Sequence, residues 1–185
     1  MPNSLIALAG LVVGAGVIML VLYNRLVRFR NLTREAWSGI DVQLKRRHDL
    51  VPNLVDAVRG YAAYEKSLFE SVAAVRAACL KSAGLPEKAS AENALTDGIR
   101  NLMAVAESYP DLKAGRNFLD LQKNLASVED DNQMARRYYN GAAREFNTSV
   151  ESFPSNLVAG VFRFRQAEFF EIETATERRN PEIKL

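Results

Sequence analysis

Leu5–Tyr23 reads LIALAGLVVGAGVIMLVLY, 19 positions without a charge. A hydrocarbon core about 30 Å thick needs roughly 20 apolar residues in a helix, because lipid cannot pair an open backbone. The stretch predicts a transmembrane helix and sets everything after it at a membrane surface. A cleaved signal peptide would carry a positive leading region, an apolar run of about 7–15 residues and a small-residue cleavage site. Here no Lys or Arg precedes the run, the run is longer, and Tyr23, Asn24 and Arg25 follow it. A retained anchor is therefore expected behind a short N-terminal segment, residues 1–4. A buried core helix would show a polar face, and none interrupts the run. Gly10 and Gly14 form a G-x-x-x-G pair, which lets helix backbones approach closely in lipid but also arises by chance.

The flanks bear on orientation. Arg25, Arg28, Arg30 and Arg34 follow the span, opposed only by Glu35. Lys and Arg beside a span favour the cytoplasmic side, so the N-terminus is expected outside and the domain in the cytoplasm. Arginines that merely snorkel to the headgroups would occur on either face, which leaves a periplasmic domain as the alternative.

Past the span, about 160 residues make one domain's worth of chain. Its 24 basic and 22 acidic residues are mixed, for a net charge of +2. That balance argues against nucleic acid as a partner. Cys79 is the single cysteine, so no intrachain disulfide and no Cys-based metal cluster is expected. Its spacing from Leu68, Val72 and Val75 marks it as a small core hydrophobe.

The rest reads as helix. Leu26, Phe29, Thr33, Trp37, Ile40 and Leu44 recur every three to four residues, extending the anchor helix into water as far as Lys45–His48. Val51, Leu54, Val58 and Tyr61, then Leu68, Val72, Val75 and Cys79, continue a 3-4 spacing typical of helices packed at a shallow angle. Pro52 lies between the two registers. A proline inside a helix loses a hydrogen bond and clashes with the preceding turn, whereas one in a first turn is harmless. A break near Asp49, with Asp49 as N-cap, is therefore expected, and a single kinked helix is the alternative. Gly84, Pro86 and the small residues to Ser90 predict a loop, with Ser90 capping a third helix marked by Leu95, Ile99, Leu102, Ala106 and Tyr109. A long fourth helix from about Asp111 to Ser152 carries Phe118, Leu121, Leu125, Val128, Asn132, Ala135, Tyr139, Ala142 and Phe146, and Phe153-Pro154 stops it. No window alternates as a strand does. The fold class is all-α: an N-terminal transmembrane helix leading into a long antiparallel up-and-down helical bundle of four-helix type, residues 24–154.

Two heptad positions are polar, Glu65 and Asn132. Each either faces water or forms a buried contact that fixes helix register. Arg136, Arg137 and Glu129, with Asp41, Arg46 and Arg47, are potential partners, and surface ion pairing explains them equally well. His48, the only histidine, has no accompanying nucleophile, and no motif for a metal, a phosphate or a catalytic serine is present. Glu129, Asp130 and Asp131 are consecutive and so diverge around a helix. The sequence assigns no catalytic, cofactor-binding or metal residue.

Residues 155–185 form an aromatic-rich segment with a polar tail. Val158, Val161, Phe162, Phe164, Phe169, Phe170 and Ile172 are too apolar to leave in water. They are expected to fold back and close one end of the bundle, or else to meet the membrane or a neighbouring subunit as a strand, an interfacial helix or an edge. The tail beyond Thr174, with Glu177, Arg178, Arg179 and Asn180-Pro181, reads as polar and mobile.

Tyr23-Asn24, Leu26-Val27, Ala36-Trp37-Ser38, the block Ile40–Arg47 (IDVQLKRR), Asp49–Val55 (DLVPNLV), Gly60-Tyr61-Ala62 and Glu65 closely resemble the LemA family of bacterial membrane proteins. So do Tyr109-Pro110, Leu112-Lys113-Ala114, Glu129, Arg136, Tyr139-Asn140 and Phe153-Pro154. The resemblance covers nearly the whole chain after residue 22. Tyr64 stands where relatives carry His, which puts any histidine-dependent role there in doubt. The resemblance implies a single-pass membrane protein with an antiparallel helical bundle and a structural or adaptor role, some relatives being linked to membrane remodelling. It implies no activity. Other members carry lipoprotein-type signals that place their domain outside the cytoplasm, and this chain lacks the cysteine such a signal needs.

Two functions stay open. One is a non-catalytic scaffold or adaptor that holds the bilayer through residues 5–23, forms a homo-oligomer and binds an unidentified protein partner. The other is an enzyme, or a subunit of a membrane enzyme or protease complex, using Glu65, Glu129 and His48. A concave site with convergent polar groups separates the second from the first.

Overall fold

Pro52 does not end a helix. In the computed structural model, which describes residues 2–170 (backbone only at residues 2 and 4–7), helix α1 runs from Pro2 to Arg59 with Pro52 inside it. Proline has no N–H, so the carbonyl of His48, four residues earlier, has no helical donor. Arg76 of the next helix supplies one: its Nε donates to the His48 oxygen at 2.7 Å. The expected break at Asp49 is thereby corrected. Asp49 is an exposed residue in mid-helix rather than a cap.

The other elements are α2 (Lys66–Lys81), α3 (Leu85–Glu107), α4 (Pro110–Lys113), α5 (Arg116–Glu151) and α6 (Ser155–Val161). No strand occurs among the described residues, and the fold is all-α. The heptads from Val51 to Cys79 are split by a turn, residues 60–65, where Tyr61 is exposed. Helix α3 begins five residues before the expected cap. Gly84 is its N-cap in extended conformation, Pro86 fits the first turn, and Glu87 reaches back to the Ala83 N–H. Ser90 is an exposed residue within it. The expected fourth helix is two, α4 and α5, separated at Ala114-Gly115. Helix α5 ends at Glu151, before Phe153-Pro154, as expected.

The described chain forms two compact units. The first takes residues 2–40 with Ala135–Phe169. Leu26, Phe146, Val158 and Ala159 make its core, with Leu22, Tyr23, Phe29 and Phe164 packed against them. Along its apolar stretch the side chains of Leu8, Leu11, Val12, Val13, Val17 and Val21 are all more than half exposed, so no protein surface covers them.

The second unit takes Asp41–Met134 with Phe170. Its helical segments run up and down around Val51, Leu54, Val58, Phe69, Val72, Cys79, Leu95 and Leu102, all buried. Gly98 on α3 permits the close approach of α2, since a Cβ there would meet Val72 Cγ2 at 3.1 Å. Leu54 and Leu125 are buried as expected and Leu68 is half-buried, whereas Trp37 is half-buried in the first unit.

Of the expected aromatic C-terminal segment, Phe164 folds back. Its ring lies 5.8 Å from that of Tyr23 and 6.4 Å from that of Phe146. Phe162 meets the Tyr23 ring at a tilt of 56°, 4.7 Å between centroids, but stays half exposed. Arg163 adopts a positive φ of 56° just past α6, and the Phe164 N–H returns to the Ala159 oxygen at 2.9 Å. That six-to-one bond closes the helix end and turns the chain. Residues 164–170 form neither helix nor strand. Ile172 and the polar tail lie outside the described residues.

Candidate functional site: a buried ionic centre

The second unit encloses charges. On α1, Arg47 and His48 are 4 % exposed each, and Glu92 of α3 is 0 % exposed. His48 Nε2 lies 2.6 Å from Glu92 Oε1, and Arg47 Nη1 lies 3.4 Å from Glu92 Oε2. Arg47 Nη2 donates to Thr96 Oγ1 at 2.8 Å and stands 3.5 Å from Glu129. A buried carboxylate is tolerable only when it is paired and hydrogen-bonded, and Glu92 has both partners. Asp131 on α5 pairs with Arg46, and Asp41 with Lys88. Of the expected partners, Asp41, Arg46, Arg47 and Glu129 thus enter ion pairs within this unit.

Glu92 was not among the expected residues, yet its signal was readable. It precedes Leu95, Ile99, Leu102 and Ala106 on the same three-to-four spacing, so an acidic residue occupies the apolar stripe of α3. Asn132 is fully buried, and neither atom of its amide has a hydrogen-bond partner among the described residues. Glu65, by contrast, is an exposed residue at the start of α2 with no capping bond. The enzyme reading needed Glu65, Glu129 and His48 together; Glu129 and His48 meet only through Arg47 and Glu92, and Glu65 makes no side-chain bond there.

His48, Cys79 and Glu92 present one ligand-type atom each, all within 4.8 Å of one another. The donor set fits an ion network better than a metal. Burial, then the Glu92 charge, pushes the Cys79 thiol up to about 12, whereas a thiol ligand must ionise. The Arg47 cation already neutralises Glu92 and would repel a second cation. A cleft of about 480 Å³ in this unit opens onto Arg47, Thr96, Gln122 and Glu129, but neither His48 nor Cys79 lines it.

The first unit holds a different arrangement. A cleft of about 290 Å³ is lined by Arg30, Thr33, Arg34, Trp37, Tyr139, Phe146, Arg165 and Ala167. Arg165 is presented by the irregular segment after α6, which Asn147 clamps through both amide atoms: Nδ2 donates to the Ala167 oxygen at 2.9 Å, and Oδ1 accepts from the Ala167 N–H at 2.7 Å. The Tyr139 hydroxyl adds a bond to the Glu168 carbonyl at 2.8 Å. Burial, then Glu168, raises the Tyr139 phenol above its ordinary value.

Comparison with known proteins bears on this geometry. Two relatives from Paramagnetospirillum magneticum, magnetosome protein MamQ 1 and magnetosome protein MamQ 2, are each 27 % identical over 183 residues, covering 85 % of this chain and 67 % of theirs. Protein LemA of Metamycoplasma hominis is 28 % identical over 165 residues, covering 84 % of this chain and 75 % of its own. The sequence pattern of the LemA family matches residues 36–185, a span that includes every member of the ionic centre. The chain belongs to the LemA family.

Proposed function

We propose that this protein is a non-catalytic, membrane-anchored helical scaffold or adaptor of the bacterial inner membrane. The observation that carries the proposal is the exposed apolar surface of α1 from Leu8 to Val21, on a helix long and apolar enough to cross a bilayer. The same helix continues past the apolar run to Arg59. In water, such a surface would drive aggregation; in lipid it needs no protein partner.

The ionic centre supports a structural role. His48, Glu92 and Cys79 are sealed from solvent, and a substrate must reach the groups that act on it. The MamQ relatives are named as magnetosome proteins, and an organising role at a membrane is the counterpart proposed for this chain. The N-terminus is placed outside and the domain in the cytoplasm, on the strength of Arg25, Arg28, Arg30 and Arg34. Self-association and a protein partner complete the proposal.

The test is a reporter fused after Leu185 in intact cells, together with the mass of the full chain in lipid nanodiscs. A cytoplasmic reporter signal and a particle heavier than one protomer support the proposal. A periplasmic signal overturns the orientation, and a strict monomer overturns self-assembly.

A further inference from the structure

Arg30, Arg34 and Arg165 surround the cleft of the first unit, and among the described residues no carboxylate lines it, although that of Glu168 lies near enough to act on Tyr139. None of the three enters an ion pair among the described residues. Arg30 places its guanidinium over the Phe164 ring at 5.0 Å, and its Nε is buried without a hydrogen-bond partner among the described residues. Three like charges held together by a fixed scaffold repel one another, and an anion with several acceptor oxygens relieves that repulsion. Arginine's planar fork suits phosphate in particular.

The remaining wall is aromatic. Trp37 meets Tyr139 edge-on at 5.5 Å, and Phe146 lies beside them. A bare inorganic anion leaves such rings unused, whereas an ester of phosphate with an apolar stem engages both halves. We propose that this cleft binds the phosphate of an anionic amphiphile, and that membrane lipid supplies it.

The source follows from position. Arg30 lies seven residues beyond Tyr23, a rise of about 10 Å along the helix. Helical side chains lean toward the N-terminus, here toward the apolar run, and a long arginine closes the remaining distance to the headgroups. The lipid source rests on the anchor proposed above; binding in the cleft does not.

The full chain in maltoside micelles provides the test, because Trp37 is the only tryptophan and lines the cleft. Its emission is followed during titration with dihexanoyl phosphatidylglycerol, dihexanoyl phosphatidylcholine and inorganic phosphate. A saturable change with the first alone is expected. Arg34→Gln and Arg165→Gln should each weaken the midpoint about tenfold, the loss of one charge-assisted contact, with unchanged circular dichroism. Arg28→Gln, exposed and outside the cleft, should leave it unmoved. An equal response to phosphatidylcholine, which carries the same phosphodiester beside a choline cation, overturns the preference for an anionic amphiphile, and no response to any ligand overturns the phosphate site. Saturation by inorganic phosphate at the same concentrations overturns the lipid source. A loss with Arg28→Gln equal to that with Arg165→Gln overturns the cleft in favour of diffuse charge. Because micelles require no spanning helix, these outcomes are independent of whether α1 anchors the protein in cells.

Discussion

Arg76 Nε donates to the carbonyl oxygen of His48 at 2.7 Å, the oxygen that Pro52 leaves without a helical donor. The same turn of α1 carries Arg47 and His48, the two residues that hold Glu92. A donor from α2 therefore keeps α1 continuous at the point where it supports the ionic centre. Arg76→Met should destabilise the protein by about 1.5–3 kcal/mol, the range for a hydrogen bond involving a charged group. Pro52→Ala restores the helical donor, so Arg76→Met should cost less in that background. A double-mutant cycle by urea denaturation measures the coupling; strict additivity would show that the bond does not compensate for the proline.

Breaking the ionic centre should be costly. Arg47→Met leaves Glu92 buried with only the His48 ring and the Cys79 thiol beside it among the described residues, and loss of one member of a buried pair costs about 3–5 kcal/mol. Replacing Arg47 and Glu92 together by Met and Leu should recover much of that loss. Chemical denaturation of the three variants checks the order. If the double variant is no more stable than Arg47→Met, the pair is not the reason for the single variant's cost.

Cys79 should behave as a buried, protonated thiol. Its folded-state value, about 12, lies above the ordinary value of 9.0, so between these limits the unfolded chain releases the proton and the folded one keeps it. Stability from this group is complete below pH 9 and declines as pH rises toward 12. Iodoacetamide at pH 8 should spare Cys79 in the folded protein and modify it in urea, as read by mass spectrometry. Rapid modification of the folded protein would contradict the burial.

Asn132 should be replaceable. A buried amide with neither atom hydrogen-bonded costs about 1–3 kcal/mol, so Asn132→Leu should raise the thermal midpoint provided the shape is accommodated. Of the two alternatives for this position, burial holds, but the described residues provide no contact that would fix register. A lowered midpoint would indicate that the amide is satisfied after all.

Leu54 and Leu125 were legible as core because each sits in an uninterrupted apolar register, and both are buried. Cys79 was legible on the same ground. The course of α1 past Pro52 was not, because what permits it is a bond to the His48 carbonyl from Arg76, 28 residues beyond His48 in sequence. The start of α3 was missed because Gly84 and Pro86 suit a loop and a first turn equally well. Glu92 was overlooked since a charged residue ordinarily marks a solvated face, and only Arg47 and His48 make its burial tolerable. The arginine cleft combines residues from α1 and from beyond α6, a juxtaposition that local periodicity does not encode.

Cysteine labelling across α1 tests the membrane anchor most directly. In a Cys79→Ala background, Leu11→Cys, Val17→Cys and Arg28→Cys are treated in opened membranes with a charged maleimide that cannot enter lipid. Leu11 and Val17 are 70 % and 55 % exposed in the protein alone, so only lipid, or a partner, can shield them. Positions 11 and 17 should remain unlabelled until the membranes are dissolved in denaturing detergent, while position 28 labels at once. Labelling of positions 11 and 17 as readily as position 28 would contradict the membrane anchor.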